Sequence, residues 1–228
     1  MSLRRILERV PYFEGLRKDA LAEVARVARQ HEVAEGTQVL AEGGDCEGLY
    51  VVVRGQVRLV KTSAEGRIHV LRVLGPGATF NDIAVFDGGP NSDTAVAASR
   101  STVAFLPKAM ILRLVDEHPE VARAALRLLS LRQRSLGYVV EDLALRDVTA
   151  RVARLLLGCM GRQQHIVDHA YDACANITHQ EIATMVGSVR EVVQRALKQL
   201  EREGAIVIER SRIKVQDASK LETWAQVE

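Results

Sequence analysis

The chain has little cysteine, no long apolar run and almost no imbalance of charge, and each scarcity excludes something. Its three cysteines, Cys46, Cys159 and Cys174, are odd in number and far apart among 228 residues. That argues against a disulfide framework and fits reduced thiols in a cytosolic protein. No stretch of about 18 uncharged apolar residues occurs, so no membrane helix is expected. The opening M-S-L-R-R-I-L-E-R-V-P carries charge where a secretory signal needs an apolar core, and the expected location is cytoplasmic. With 31 basic against 29 acidic side chains, the formal net charge is only +2. Any affinity for nucleic acid must therefore come from where the basic residues sit. A P-loop, a nucleophile elbow and a pair of catalytic carboxylates are missing too, so the chain is not expected to be an enzyme. His165, His169 and Cys174 stand in a polar connector with H-x-x-x-H spacing but no fourth ligand, and no metal site is expected there.

What is present is apolar content of 47%, ample for one or two domains with cores that need neither disulfides nor metals. Leu3 to Gln30 has helical spacing around the turn P-Y-F-E-G-L, which predicts two short helices. From Val33 to Phe105, short β-branched runs such as Leu49–Val53, Val57–Val60 and Val70–Leu74 alternate with glycines. That pattern predicts a compact antiparallel sandwich or roll. Helical spacing returns after Pro107. From Pro119 to Ala144 an apolar stripe runs with Arg127, Arg132, Arg134, Glu141 and Asp142 off it. The stripe is too long to need only one small domain as partner. It points to a homodimer formed through Leu128, Leu129, Leu136, Val139, Val140 and Leu143. The chain thus divides into residues 1–118, a β domain with flanking helices; 119–146, the long helix and hinge; and 147–228, a C-terminal module. The fold class is α+β.

In that module Thr178-His-Gln-Glu181 has the form of a capping box, so a helix starts there and buries Ile182, Met185 and Val186. Gly187 permits a sharp turn. Ser188 and Glu191 repeat the S-x-x-E pattern, which predicts that a second helix starts at once and completes a helix-turn-helix. Val192, Val193, Ala196, Leu197 and Leu200 lie near one face of that second helix, while Arg190, Glu191, Gln194, Arg195 and Lys198 take the rest. A recognition helix presents its first turns to base edges in the major groove. There arginine can donate twice to guanine and glutamate can accept from cytosine N4. Beyond Gly204, A-I-V-I-E and R-I-K-V predict a hairpin wing whose Arg210, Arg212 and Lys214 meet phosphates. Together with Ser188 these residues form the expected contact set for double-stranded DNA.

The run T-H-Q-E-I-A-T-M-V-G-S-V-R-E-V-V-Q-R-A-L-K-Q-L-E-R-E-G-A-I resembles the signature of the cyclic-AMP receptor protein and FNR (Crp/Fnr) family of bacterial transcription regulators. L-A-L-R-D-V-T-A-R-V-A-R-L-L-L resembles the family's hinge and first DNA-domain helix, and G-L-Y-V-V-V-R-G-Q-V and G-P-G-A-T-F resemble its β-roll. The likeness covers nearly the whole chain. It implies a cyclic-nucleotide-binding-like jelly roll, a long dimerisation helix and a C-terminal winged helix-turn-helix. It also implies a homodimer on a palindromic operator, and RNA polymerase as a partner if the protein activates. Arg190, Glu191 and Arg195 fall on the family's base-reading positions, implying half-sites related to T-G-T-G-A. Asp147 falls on its helix-capping hinge position.

The same resemblance sets an effector pocket at Phe80, Asn81, Asp82, Asn91, Ser92, Leu136 and Gly137. Members that bind cyclic AMP carry F-G-E followed by an arginine. Here Asn81, Asp82 and Asn91 replace glycine, glutamate and arginine, and Leu136-Gly137 replace the adenine-contacting hydroxyl pair. Hydrogen bonds to charged groups contribute about 1.5–3 kcal/mol each, and here phosphate, ribose and base contacts are weakened together. The effector expected is an unknown small molecule other than cyclic AMP, and no cofactor is assigned. An iron–sulfur sensor would need a cysteine cluster that the N-terminus lacks. Haem, with only Cys46 and His69 in the β region as ligands, stays open as an alternative. So do a cyclic nucleotide and a scaffold role on a protein partner.

Overall fold

Apolar β-branched runs broken by glycine turns produce two antiparallel sheets, and helical periods before and after them produce the rest. The computed structural model describes residues 3–160, 167–168, 177–209 and 212–226. It divides into two compact units, Met1–Lys61 with Leu74–Gln133, and Thr62–Val73 with Arg134–Glu228.

In the first unit, α1 (Leu3–Leu7), a 3-10 turn (Pro11–Phe13) and α2 (Lys18–Val27) precede the strands β1 (Arg29–Val33), β2 (Gln38–Leu40), β3 (Gly48–Arg54) and β4 (Val57–Thr62). After β5 (Ile68–Leu74) come β6 (Thr79–Phe80), α3 (Asp82–Asp87), β7 (Thr94–Ala97), β8 (Ser101–Pro107) and α4 (Lys108–Glu117). One sheet runs β1-β8-β3-β6, with Val51 opposite Ala104. In the other, β7 lies between β2 and β4, with Leu59 opposite Ala95. The run Leu49–Val53 is apolar throughout because both faces of β3 are covered. Leu49, Val51 and Val53 join a core with Ile6, Leu7, Leu21, Val24, Met110 and Leu114. Val52 and Tyr50 pack with Val57, Leu59, Phe80 and Ala95 between the sheets.

The long helix α5 spans Pro119–Leu145, close to the range its periodicity predicts. Val121 and Ala125 are buried in the first core, and Leu128 packs against it. Leu136 and Val140 are 58% and 59% exposed, and Leu143 is 47% exposed. The six residues expected to pair with a second copy therefore separate. Leu128 serves this chain's own core, Leu129 is half-buried, and Val139 lines a small cavity. Leu136, Val140 and Leu143 present the apolar face, with Leu126 and Leu131 also exposed. Two of the side chains that lie off the stripe, Arg132 and Asp142, are enclosed. Periodicity shows which side of a helix is apolar but not which polar groups find buried partners.

In the second unit α6 (Val148–Cys159) is capped by Asp147, whose side chain accepts from Ala150 N at 2.8 Å. After β9 (Val167–Asp168), α7 (His179–Val186) begins with the full Thr178/Glu181 capping box and ends at Gly187 in the left-handed region, φ 65°. Then follow α8 (Arg190–Arg202), the wing strands β10 (Ile206–Glu209) and β11 (Arg212–Val215), and α9 (Ala218–Trp224). Ile182, Val193, Leu197, Leu200, Leu155, Leu157 and Leu221 fill this core. The hinge end of α5 is tied in by Asp142, which meets Arg146 Nε at 3.1 Å and Arg154 Nε at 3.0 Å. Arg146 also donates to the Ala225 carbonyl and to Glu141.

Two expectations fail here. The second S-x-x-E does not cap α8. Its N-cap is Val189 with no side-chain bond, one residue beyond Ser188, whose backbone N–H donates to the Ala183 carbonyl at the end of α7. Cys159, expected as a reduced thiol, is disulfide-bonded. Spacing along a chain does not show which sulfurs the fold brings within bonding reach. Cys46 is a free thiol. His165, His169 and Cys174 lie outside the described residues.

Gly187→Ala should lower stability by about 1–2 kcal/mol, the cost of a left-handed L-residue. Its Cβ would also stand 3.1 Å from Leu143 Cδ2. Urea melts of the two proteins read this, and an unchanged midpoint would show that the turn does not require glycine.

Candidate nucleic-acid interface and effector pocket

The helix α8 divides its residues sharply. Val193, Ala196, Leu197 and Leu200 are buried, while Arg190, Glu191, Gln194, Arg195 and Lys198 are all exposed. Ser188 is half-buried, Val192 lies at the boundary, and Val189 adds an exposed apolar residue at the helix start. Glu191 and Arg195 are four apart in the orientation that favours an ion pair. Yet among the described residues neither they nor Arg190, Gln194 and Lys198 engage another side chain. Their donors and acceptors are available to something outside the chain.

On the wing, Glu209 pairs in register with Arg212. Arg212 is exposed, and Lys214 Nζ meets Glu209 Oε2 at 2.5 Å. Both partners of that pair are more than half exposed, and such pairs contribute at most about 1 kcal/mol. A phosphate can compete for the lysine. Arg210 lies outside the described residues.

Within the roll, Asn81 is the one non-glycine residue with positive φ among the described residues, at 68°. Asparagine tolerates that region, so the backbone turn survives replacement of glycine. Its Nδ2 donates to the Gly48 carbonyl at 3.0 Å and reaches Cys46 Sγ at 3.5 Å. Asn91 Nδ2 donates to the Ala41 carbonyl at 3.1 Å, and its backbone pairs with Gly43 and Gly44. These donations fix both amide orientations and leave each Oδ1 buried without a hydrogen-bond donor. Burial pushes the Cys46 thiol up, opposed by Lys108, which keeps it protonated and unreactive.

Asp82 is 4% exposed and fully engaged from within. Tyr12 Oη donates to it at 2.5 Å, and the Arg132 guanidinium forms an ion pair with the same oxygen. Arg132 also donates to the carbonyl and hydroxyl oxygens of Thr79, both at 3.1 Å. Phe80 stacks on Tyr50 with ring centroids 5.0 Å apart. Ser92 Oγ donates to Asp93, while Lys61 reaches the Ser92 carbonyl, Glu42 and Asp93. The structure thus gathers Phe80, Asn81, Asp82, Asn91 and Ser92 in the first unit. Leu136 and Gly137 are exposed on α5 in the second. Tyr12, Thr79, Lys61 and Arg132 are the residues that sequence reasoning missed. Tyr12 lies 70 positions from Asp82, and no spacing rule links them. No group of His, Cys, Asp or Glu among the described residues can hold a metal ion.

Two family models match the chain. Residues 30–118 match the family model for a cyclic nucleotide-binding domain, and residues 150–224 match that for a Crp-like helix-turn-helix domain. The chain is 28% identical over 216 residues to a CRP-like cAMP-activated global transcriptional regulator of Mycobacterium tuberculosis, covering 95% of this chain and 96% of the relative. It is 30% identical over 187 residues to the cAMP-activated global transcriptional regulator Vfr of Pseudomonas aeruginosa, covering 80% and 86%. The solved structure of FixK2 from Bradyrhizobium japonicum shares the fold, with a TM-score of 0.75 at 22% identity, covering 89% of this chain and 99% of that one.

Arg132→Met should cost about 3–5 kcal/mol by leaving a buried carboxylate without its cation. The double variant Asp82→Asn/Arg132→Met should recover part of that loss. A denaturant double-mutant cycle measures the coupling, and additive losses would show that the pair is not a unit.

Proposed function

Because the chain belongs to the Crp/Fnr family of DNA-binding transcription regulators, we propose that it acts in the cytoplasm as a homodimer on a palindromic operator, controlled by a small molecule other than cyclic AMP. The observation that carries the reading is the exposed, unengaged set Arg190, Glu191, Gln194, Arg195 and Lys198 on a helix whose other face is buried. Arg190 and Arg195 suit guanines and Glu191 a cytosine, consistent with half-sites related to T-G-T-G-A. Ser188, Arg210, Arg212 and Lys214 suit the backbone beside them. The exposed Leu136, Val140 and Leu143 support pairing of two α5 helices. Two-fold symmetry then asks for half-sites about one helical turn apart. If the protein activates, RNA polymerase is the further partner. No helix among the described residues is long and apolar enough to cross a membrane.

The curated relatives above are named as cAMP-activated. Two features support a different effector here. Asn91 offers a neutral amide, already donating to Ala41, where a phosphate needs a cation. Asp82, the candidate for a ribose hydroxyl, is occupied by Tyr12 and Arg132. An effector acts only by binding one arrangement of the dimer more tightly than the other.

Arg190→Ala should cost about 1–3 kcal/mol on the selected operator and relax preference at one base pair, while Lys214→Ala should weaken all duplexes alike. Anisotropy titrations on specific and random DNA read this, and equal losses on both for Arg190→Ala would remove base reading. Calorimetry with cyclic AMP should show no tight binding; a micromolar constant would overturn the effector assignment.

A further inference from the structure

The segment Thr62–Val73 lies in the same compact unit as the DNA-binding module. A tight turn, with Ser63 N on the Arg67 carbonyl at 2.8 Å, leads from β4 into β5 and brings His69 into the unit. His69 is half-buried and lines a small cavity. With its neighbours Val70 and Leu71, it faces Val139, Asp142 and Leu143 of α5, Arg151 of α6, and Met185 and Val186 of α7.

The last carbonyls of a helix lack intrahelical partners, and α7 has its own taken by other elements. Ala183 O accepts from Gly187 and Ser188. Val186 O accepts from Arg151 Nη1 at 2.7 Å. The imidazole of His69 hydrogen-bonds the backbone of Thr184. Two side chains from different elements thus grip the end of the helix just before the Gly187 turn that launches α8. A Cβ on Gly187 would stand 3.6 Å from both His69 Cε1 and Arg151 Nη1.

The charges around this grip make it sensitive to a proton. Arg151 faces His69 from α6. From α5 comes Asp142, but its carboxylate is shared by Arg146 and Arg154. The α7 wall residues Met185 and Val186 carry no titratable group, and the charged residue on β5 itself is Arg72. Burial pushes His69 below its ordinary value, and Arg151 lowers it further against the Thr184 bond. Protonation therefore puts a second cation beside Arg151, where Asp142, the carboxylate in the cavity wall, is already engaged.

We propose that His69 is a proton-operated clasp between the β4–β5 hairpin and the helix-turn-helix, holding the end of α7 when neutral and releasing it when the imidazole gains a proton. The docked state disfavours the proton, so the docking energy is fully present above the free histidine value, about 6.5. It is lost as the pH falls through the lower, docked value.

Hydrogen exchange on the full chain at pH 7.5 and 5.5, corrected for intrinsic rates, tests this on peptides covering residues 62–73 and 184–190. The wild type should lose protection on acidification, about tenfold for each pKa unit separating docked from free histidine. His69→Ala should show that loss already at pH 7.5. His69→Gln, which keeps a donor but does not titrate, should stay protected at both. Wild-type protection independent of pH, or His69→Gln losing it as the wild type does, would overturn the clasp. Thermal melts establish that each variant is folded, and a destabilised His69→Ala leaves the wild type and His69→Gln to decide. The measurement needs no DNA, so it stands apart from the proposed operator. With operator present, acidification should shift wild-type affinity in the same sense as His69→Ala does at pH 7.5, and His69→Gln should lack that component.

Discussion

Between Val186 and Arg190 the chain has only Gly187, Ser188 and Val189 in which to end one helix and begin another. The placement of the exposed polar face of α8 depends on that economy. The capping box at Thr178 fixes where α7 starts, and the Ala183 carbonyl, taking two N–H groups, fixes where it stops. Only a left-handed residue lets the backbone reverse in so short a space, and Gly187 adopts it without a Cβ penalty. Once the turn is set, the placement of Val193, Leu197 and Leu200 in the core forces Arg190, Glu191 and Arg195 outward. The exposed polar face follows from packing on the opposite face of the same helix.

In the roll, Asn81 adopts the left-handed turn, and β3 has both faces covered. A buried carboxylate is tolerated only with partners, and Asp82 finds them in Tyr12 and Arg132 rather than depending on a bound molecule. Two asparagine oxygens stay buried without donors. Each of those oxygens can accept a hydrogen bond, and neither side chain carries a positive charge.

The second unit relies on charge as well as packing. Asp142 gathers Arg146 and Arg154, and Arg146 extends to the Ala225 carbonyl, so the end of α5 is tied to α6 and to the last helix. Burial pushes the Asp142 carboxyl up while both arginines pull it down. The hinge is therefore an ionic knot built on one carboxylate, beside the grip that Arg151 and His69 exert on α7.

Much of this was legible from residue order. The 3.6 and 2 periods, the glycine punctuation, the Thr178/Glu181 cap, the Asp147 cap and the turn at Gly187 all act over a few residues, so residue order alone sets the β region, the long helix, the helix-turn-helix and the polar face of α8. Ser188 spends its backbone N–H on the end of α7, and α8 takes Val189 as its N-cap, a choice that the S-x-x-E spacing does not show. The pairing of Asp82 with Tyr12 and Arg132, the burial of Asp142, the separate duties of Leu128 and Val139 and the bonded state of Cys159 were decided only in three dimensions. Each depends on which distant group arrives within a few ångströms. Hydrogen bonds and ion pairs fall off over that distance, whereas helical and strand periods are written along the backbone itself.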